Sequence, residues 1–352
     1  MRALVLSGGE GSRLRPITST NAKQLIPVAG TPILFQALEA IAAAGITQVG
    51  IVIGATGDEV RAAVGDGSRW GIDVTFIPQE APLGIAHAVM TAESFLHDDP
   101  FLLYLGDNVL LGGVTRFVQE FERSEAEAHI LLAKVPEPEH FGVAVLDGDQ
   151  VVRLVEKPIE PLSDLALVGV YLFRRSILDA CHTLAPSGRG EYEITEAIQW
   201  LIDHGKSVRA EMVSGWWKDT GRPSDLLEAN RVMLSIVTER VDGDVDEGSS
   251  LHGNVRLARG AKVIRSELRG PVAIGPDAVI EDSVVGPNVS IERDVHILRS
   301  AVEDSIVMEG CQIVDVHGLS ASILGRNVEV LHSGTGGVHR LVVGDQSRVE
   351  LD

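Results

Sequence analysis

The residues with the clearest chemical potential lie at the start of the chain. A short apolar stretch, Ala3-Leu4-Val5-Leu6-Ser7, runs into Gly8-Gly9-Glu10-Gly11-Ser12-Arg13-Leu14-Arg15-Pro16, and Lys23-Gln24-Leu25-Ile26-Pro27 follows. Glycines after a buried strand let backbone N–H groups approach a polyphosphate closely. An arginine and a lysine in the same loop system supply fixed positive charge for that anion. The pattern is neither of two common phosphate-binding loops. No Lys-Ser or Lys-Thr follows the last glycine, and the glycines at 8, 9 and 11 do not fit the GxGxxG spacing.

Carboxylates come next. Leu103-Tyr104-Leu105-Gly106-Asp107-Asn108 ends an apolar strand in an acid, and Trp216-Trp217-Lys218-Asp219-Thr220-Gly221 holds a second one. Ligands of open parallel sheets sit beyond the carboxyl ends of the strands. Asp107 therefore falls near the glycine loop if the first and fourth strands are close. Two carboxylates plus a triphosphate suit Mg²⁺, which takes few protein oxygens and keeps water and phosphate. Glu156-Lys157-Pro158 follows a strand, and the proline holds Lys157 in extended or turn geometry. In Arg189-Gly190-Glu191-Tyr192-Glu193 the glutamates offer acceptors for sugar hydroxyls, or favour the start of the next helix. Gln79 offers an amide to the edge of a base, and Gly84 leaves room for the base. His87, inside an apolar helix, is expected to pack rather than catalyse.

These residues need elements to position them. Apolar runs at 3–7, 49–53, 73–77, 101–105 and 129–135 read as buried strands, with helical patterns at 32–44, 57–65, 84–95 and 112–123 between them. Thr31-Pro32 supplies a cap and a first-turn proline, and Gly45 a stop. Alternation of this kind argues for a parallel sheet covered by helices on both faces. After residue 140 the rhythm changes. A hairpin is expected around Asp147-Gly148-Asp149-Gln150, then a strand over 165–173 and helices over 174–184, 193–204 and 222–240. Residues 241–250 are acidic and glycine-rich and read as a linker. Beyond it an aliphatic residue recurs every six positions, and Ser283-Val-Val-Gly286 returns as Ser322-Ile-Leu-Gly325, with Ser305-Ile-Val as a partial copy. That periodicity predicts a β-solenoid of about five coils.

The totals set outer bounds. A chain of 352 residues with 45% hydrophobic content suggests two globular domains. A formal charge of −20 disfavours nucleic acid polymers and anionic lipid. Phosphate chemistry then needs cations concentrated locally, as Arg2, Arg13, Arg15 and Lys23 are. Cys181 and Cys311, far apart, fit neither a metal motif nor a disulfide framework. No apolar run reaches the roughly 18 residues of a membrane span. A cytoplasmic location is expected.

Taken in order, the motifs resemble the sugar-1-phosphate nucleotidylyltransferases, and most of all their long thymidylyltransferase form. The pieces that carry the likeness are Gly8–Pro16, Lys23–Pro27, Pro82-Leu-Gly84-Ile-Ala-His-Ala88, Leu105–Asn108, Phe141-Gly142, Glu156–Pro158, Leu167–Tyr171, Arg189–Thr195 and Asp219-Thr-Gly221. The family commonly has threonine at Ser12 and often tyrosine at Phe141. The resemblance implies a Rossmann-like mixed α/β sheet flanked by helices over residues 1–240, the nucleotidyltransferase fold, and a left-handed β-helix over 251–352. It implies in-line attack of a sugar 1-phosphate on the α-phosphorus of a nucleoside triphosphate, with Mg²⁺, and dTTP and glucose 1-phosphate as the substrates. Arg13 and Lys23 would hold the triphosphate, Asp107 and Asp219 the metal, and Lys157 the sugar phosphate. Leu6, Gly8, Gly9, Gly11, Ser12, Gln79, Pro82 and Gly84 would contact the nucleotide. Asn108, Gly142, Glu156, Gly169, Tyr171 and Arg189 would line the sugar-phosphate side. A homo-oligomer joined through the solenoid is a further expectation. Two rivals keep the fold: a uridylyltransferase, with or without an acetyl-transferring solenoid, and a non-catalytic subunit that binds a nucleotide sugar.

Overall fold

The structure is a computed structural model that describes residues 1–332 and 337–351. Contacts divide it into two compact units. One comprises Met1–Glu10 and Leu34–Asp219, the other Gly11–Ile33 and Thr220–Asp352.

The first unit is built on a nine-stranded sheet. In chain order its strands and those of a small ribbon are β1 (Arg2–Ser7), β2 (Gln48–Ile53), β3 (Asp73–Pro78), β4 (Phe101–Leu105), β5 (Asn108–Leu110), β6 (Ala128–Lys134), β7 (Gly142–Asp147), β8 (Gln150–Glu156), β9 (Leu165–Phe173), β10 (Val208–Met212) and β11 (Trp217–Asp219). The sheet order is β3-β2-β1-β4-β9-β6-β10-β8-β7, and β5 with β11 forms the separate ribbon. The first four strands are parallel, as the alternating pattern requires. The rest is mixed: β9 runs antiparallel to both β4 and β6. Helices α1 (Ile33–Ala43), α2 (Gly57–Val64), α3 (Ile85–Thr91), α4 (Glu93–Leu96), α5 (Thr115–Glu122), α6 (Ser176–Thr183) and α7 (Ile194–Asp203) connect these strands. The helix expected to open at Thr31-Pro32 begins at Ile33 instead, because Thr31 and Pro32 pair antiparallel with Val28 and Pro27. Leu4, Leu103, Ile130 and Tyr171 join the inner residues of α3, α6 and α7 in one buried core. Cys181 lies in that core as a free thiol, which burial pushes up to about 12.

The second unit is a left-handed β-helix with α8 (Pro223–Ser235) and the Gly11–Ile33 segment. Among the described residues, seven strands stack on each of two faces and five on the third. The six-residue period was therefore the right signal. The solenoid is taller than five coils, because its first coil starts at Arg240. The expected linker is a correction of substance: Arg240–Val241, Asp244–Val245 and Ser250–His252 are strands in register with the next coil. Acidic and glycine-rich composition suggested a linker, yet solenoid corners use the same residues. Asp277, Asp282, Asp294 and Asn327 all sit at φ between 48° and 58°, a region that short polar side chains tolerate. Inside, Val263, Ile280, Ile297, Ile313 and Val330 stack from coil to coil and are buried. The repeated serines form a ladder. The backbone N–H groups of Ser283 and Ser300 donate to the Oγ of Ser266 and Ser283, each at 3.0 Å and 17 residues away. A buried corner thus keeps its polar groups paired.

The Gly11–Ile33 segment is anchored to the solenoid and to α8. Asn21 Nδ2 and Thr20 Oγ1 donate to the Asp345 carboxylate at 2.9 Å. Ala29 N–H donates to Asn230 Oδ1 at 2.8 Å, and Arg256 donates to the Ala29 carbonyl at 2.8 Å. Among the described residues no helix is long and apolar enough to cross a membrane.

Candidate active site

The glycine loop leaves the sheet at the carboxyl end of β1. Leu6 is in register with Leu105 of β4, and Gly106 N–H donates to the Leu6 carbonyl at 2.9 Å. The condition set by the sequence holds: β1 and β4 are neighbours, so Gly8 and Asp107 emerge side by side from one sheet edge. Arg2, at the other end of β1, is not a phosphate residue. It pairs with Asp99 at 2.9 Å and donates to the Phe95 carbonyl.

On one flank of this edge lies Gln79. A Cβ built on Gly8 would sit 3.3 Å from Gln79 Oε1, so the amide lies directly against the loop. Gln79 Nε2 is 2.8 Å from His87 Nδ1. His87 therefore orients the glutamine, a role that sequence reasoning missed. With Nε2 donating to the imidazole, the Gln79 oxygen is left facing Gly8. Gly84 has φ +103°, and a Cβ there would come within 2.5 Å of the Tyr192 carbonyl. Its small size thus serves the approach of the Tyr192 backbone, which also accepts from Ala86 N–H at 3.1 Å. Pro82 belongs to the same loop.

The second flank is the ribbon. Asp219 of β11 pairs with Asn108 of β5, directly after Asp107. Asn108 is buried, and both ends of its amide are occupied. Oδ1 accepts from Trp217 Nε1 at 2.6 Å, and Nδ2 donates to Asp107 Oδ1 at 3.0 Å. Asn108, expected on the sugar-phosphate side, also holds the Asp107 carboxylate. Trp217 in turn packs edge-on against Phe141, ring centroids 5.8 Å apart. A ring contact followed by two hydrogen bonds therefore links Phe141 to Asp107. Where the family often has tyrosine, the Phe141 ring is used for packing. No group of three or more His, Cys, Asp or Glu able to hold a metal occurs among the described residues. Two carboxylates brought to one end of a ribbon fit a cation completed by phosphate and water.

The third cluster surrounds Glu156. Gly142 faces it so closely that a Cβ would meet Thr195 Cγ2 at 2.6 Å and Glu156 Oε2 at 3.1 Å. Thr195 Oγ1 donates to Glu156 Oε2 at 3.2 Å, and Lys157 Nζ lies 3.8 Å from Oε1. Lys157 occupies the turn alternative, with φ +40°, and its N–H donates to the Phe141 carbonyl at 3.0 Å. Burial, reinforced by the nearby Glu193, raises the Glu156 carboxyl above the usual carboxylate range. Arg189 is not an unclaimed cation. Its guanidinium contacts both oxygens of Glu193 at 2.8 and 2.9 Å, and reaches Glu191 and Glu156 at 3.2 and 3.3 Å. It offsets clustered carboxylates and is an organiser of this wall. Gly169 lies against Leu105 and Asn108. Tyr171 is only 3% exposed and stacks on Phe173, so it backs the cluster from the core. Burial, then the Glu156 charge, raises its phenol.

Gly9 and Glu10 end the part of the loop that belongs to the first unit, whereas Gly11, Ser12, Arg13 and Lys23 belong to the second. Gly11 is left-handed at φ +62° and opens a single 3₁₀ turn, Ser12–Leu14. Thr18 Oγ1 donates to the Gly11 carbonyl at 2.7 Å. A Cβ on Gly11 would press to 3.0 Å from Lys23 Cβ, so the two arms of the motif touch. Arg13 lies over Gly221: a Cβ there would come within 2.9 Å of its Nη2. The glycine of Asp219-Thr-Gly221 thereby gives the guanidinium its bed.

The nucleotidyl transferase family profile matches residues 2–235. A glucose-1-phosphate thymidylyltransferase of Streptomyces griseus is 52% identical over 353 residues, covering 100% of this chain and 99% of the relative. One of the same name from Streptomyces antibioticus is 49% identical, again covering 100% and 99%. A solved structure from Bacillus anthracis, described as a glucose-1-phosphate thymidylyltransferase in complex with a sucrose, superposes with a TM-score of 0.64 at 34% identity, covering 68% of this chain and 98% of that one. With a family match over most of its length, relatives alike from end to end, and the glycine edge, paired carboxylates and glutamate cluster in place, the chain belongs to the nucleotidyl transferase family.

Proposed function

We propose that the protein transfers a thymidylyl group from dTTP to glucose 1-phosphate, giving dTDP-glucose and pyrophosphate. The observation that carries this reading is the end-to-end likeness to two relatives of that activity. A phosphate oxygen of the sugar phosphate attacks the α-phosphorus in line. One P–O bond forms, the bond to the β-phosphate oxygen breaks, and pyrophosphate leaves with the electron pair. No group on the protein becomes covalently attached, so catalysis is positioning plus charge stabilisation.

In this proposal Arg13 and Lys23 hold the triphosphate and its departing end. Leu6, Gly8, Gly9, Gly11 and Ser12 approach the phosphates and nucleoside, and Gln79 with the Pro82–Gly84 loop reads the base. Lys157 clamps the sugar phosphate, while Gly142, Glu156, Gly169 and Arg189 shape the sugar wall. Asp107 and Asp219 are the residues that would hold Mg²⁺, which when bound supplies charge neutralisation on phosphate oxygens. The Asn108–Trp217 bonds keep Asp107 in one orientation without help from substrate. A homo-oligomer formed through the solenoid, and a cytoplasmic location, belong to the same proposal; light scattering checks the first and cell fractionation the second.

The test is pyrophosphate release with Mg²⁺, comparing dTTP with UTP and glucose 1-phosphate with glucosamine 1-phosphate. Preference for dTTP with glucose 1-phosphate is expected. Preference for UTP with the amino sugar, or no release with any pair, overturns the reading.

A further inference from the structure

Within the second unit, an open cleft of about 720 Å³ is lined by Arg13, Arg222, Pro223, Ser224, Arg340 and Val342. None of these six residues is acidic. Arg13 comes from the glycine motif, Arg222 caps α8, and Arg340 comes from the last coils of the solenoid. All three arginines are exposed, and none has a carboxylate partner among the described residues. This is unusual in a chain of net charge −20. Most other guanidinium groups of the second unit are claimed: Arg265 by Asp282, Arg299 by Asp315, and Arg231 of α8 by Asp304. Asp225 accepts the Arg222 backbone N–H at 2.9 Å and completes the capping box of α8.

The cleft also receives the start of α8, a helix of 13 residues with Pro223 and Ser224 in its first turn. A helix N-terminus favours anions through its dipole and its unbonded N–H groups. Three unpaired guanidinium groups with planar donor forks at the same place suit a multiply charged phosphate ligand. The far wall is held in place: Asp345, just beyond Val342, is bonded to Thr20 and Asn21, and a Cβ on Gly344 would meet the Pro16 carbonyl at 2.8 Å.

We propose that Arg13, Arg222 and Arg340 form a diphosphate seat, with Arg222 and Arg340 extending the phosphate grip of Arg13 and the solenoid supplying one of its cations. The proposal rests on the reading of Arg13 as a triphosphate ligand. The diphosphate is either the terminal part of the substrate triphosphate, leaving as pyrophosphate, or a diphosphate that binds beside the substrate.

The test is calorimetric titration of the full chain with inorganic pyrophosphate alone, without metal. Each of Arg222→Ala and Arg340→Ala should weaken binding about tenfold, the loss of one charge-assisted contact. Arg340→Lys should retain most of the affinity, and binding should fall steeply with added salt. Saturating dTTP that displaces pyrophosphate assigns the seat to the substrate's own phosphate chain. Binding that persists alongside dTTP assigns it to a separate diphosphate. Unchanged affinity in both alanine variants, with wild-type melting curves, overturns the proposal. If Arg340→Ala melts early, Arg340→Gln replaces it in the same titration. The outcome separates from that of the parent reading. Absent turnover with arginine-dependent pyrophosphate binding sinks only the substrate assignment; normal turnover with arginine-independent binding sinks only the seat.

Discussion

Trp217→Phe removes one hydrogen bond and part of a ring contact. The indole N–H donates to Asn108 Oδ1 at 2.6 Å, and the same amide donates to Asp107 at 3.0 Å. Phenylalanine keeps an aromatic ring against Phe141 but removes the donor together with one ring of the indole. Asn108 is 3% exposed, so water does not replace the lost partner. A buried acceptor left unpaired costs about 1–3 kcal/mol. For a domain of this size that lowers Tm by roughly 2–4 °C per kcal/mol, so a drop of about 2–12 °C is expected. Asp107 also loses its fixed orientation. If about 1.4 kcal/mol of that cost appears in the transition state, kcat falls about tenfold. The assays are thermal melting and steady-state pyrophosphate release with both substrates. KM for glucose 1-phosphate should stay within about twofold, because the Glu156 cluster is untouched. A double-mutant cycle with Asn108→Ala should show coupling of about 1 kcal/mol or more. Wild-type kcat and Tm in Trp217→Phe would refute the relay.

Asp107→Ala should lower turnover about 10²–10³-fold with little change in Tm, as expected for one lost electrostatic group; near-normal Mg²⁺-dependent activity rules it out as a metal residue. Gly221→Ala places a Cβ 2.9 Å from Arg13 Nη2, the far end of a flexible side chain. Tm should hold while KM for dTTP rises about tenfold, and an unchanged KM removes the bed role. Glu156 has a carboxyl raised by burial and by Glu193. Its ionised form therefore opposes folding above that raised value, and the penalty disappears as pH falls through it. Wild type should gain Tm relative to Glu156→Gln on acidification, while its KM for glucose 1-phosphate rises; parallel pH profiles for the two proteins sink the assignment. His87→Leu releases Gln79, so KM for dTTP should rise a few-fold with kcat nearly constant, and no change in KM shows that Gln79 holds itself.

Much of this arrangement is legible in local sequence. The strand into Gly8, the hairpin at Asp147–Gln150 and the six-residue period each depend on neighbours a few positions apart. Other features depend on pairs distant in the chain, which local periodicity does not encode. Asn108 and Trp217 lie 109 residues apart, and their bond gives Asn108 a second role as a support for Asp107. Arg189 looked available because its partner Glu193 reads equally well as a helix-start residue. Gly84 looked made for a base, whereas Tyr192, brought in from another segment, lies against it. The linker reading failed for a chemical reason: solenoid corners and flexible linkers draw on the same short polar residues. The membership of Gly11–Ile33 in the solenoid unit had no local signal at all.

That last feature has a consequence in time. Thr20 and Asn21 are bonded to Asp345, 325 and 324 residues later. At a synthesis rate of about 5–20 residues per second, Thr20 leaves the ribosome roughly 15–65 s before its partner is made. The segment that carries Arg13 and Lys23 is thus among the first parts of the protein to be translated and among the last to be fastened.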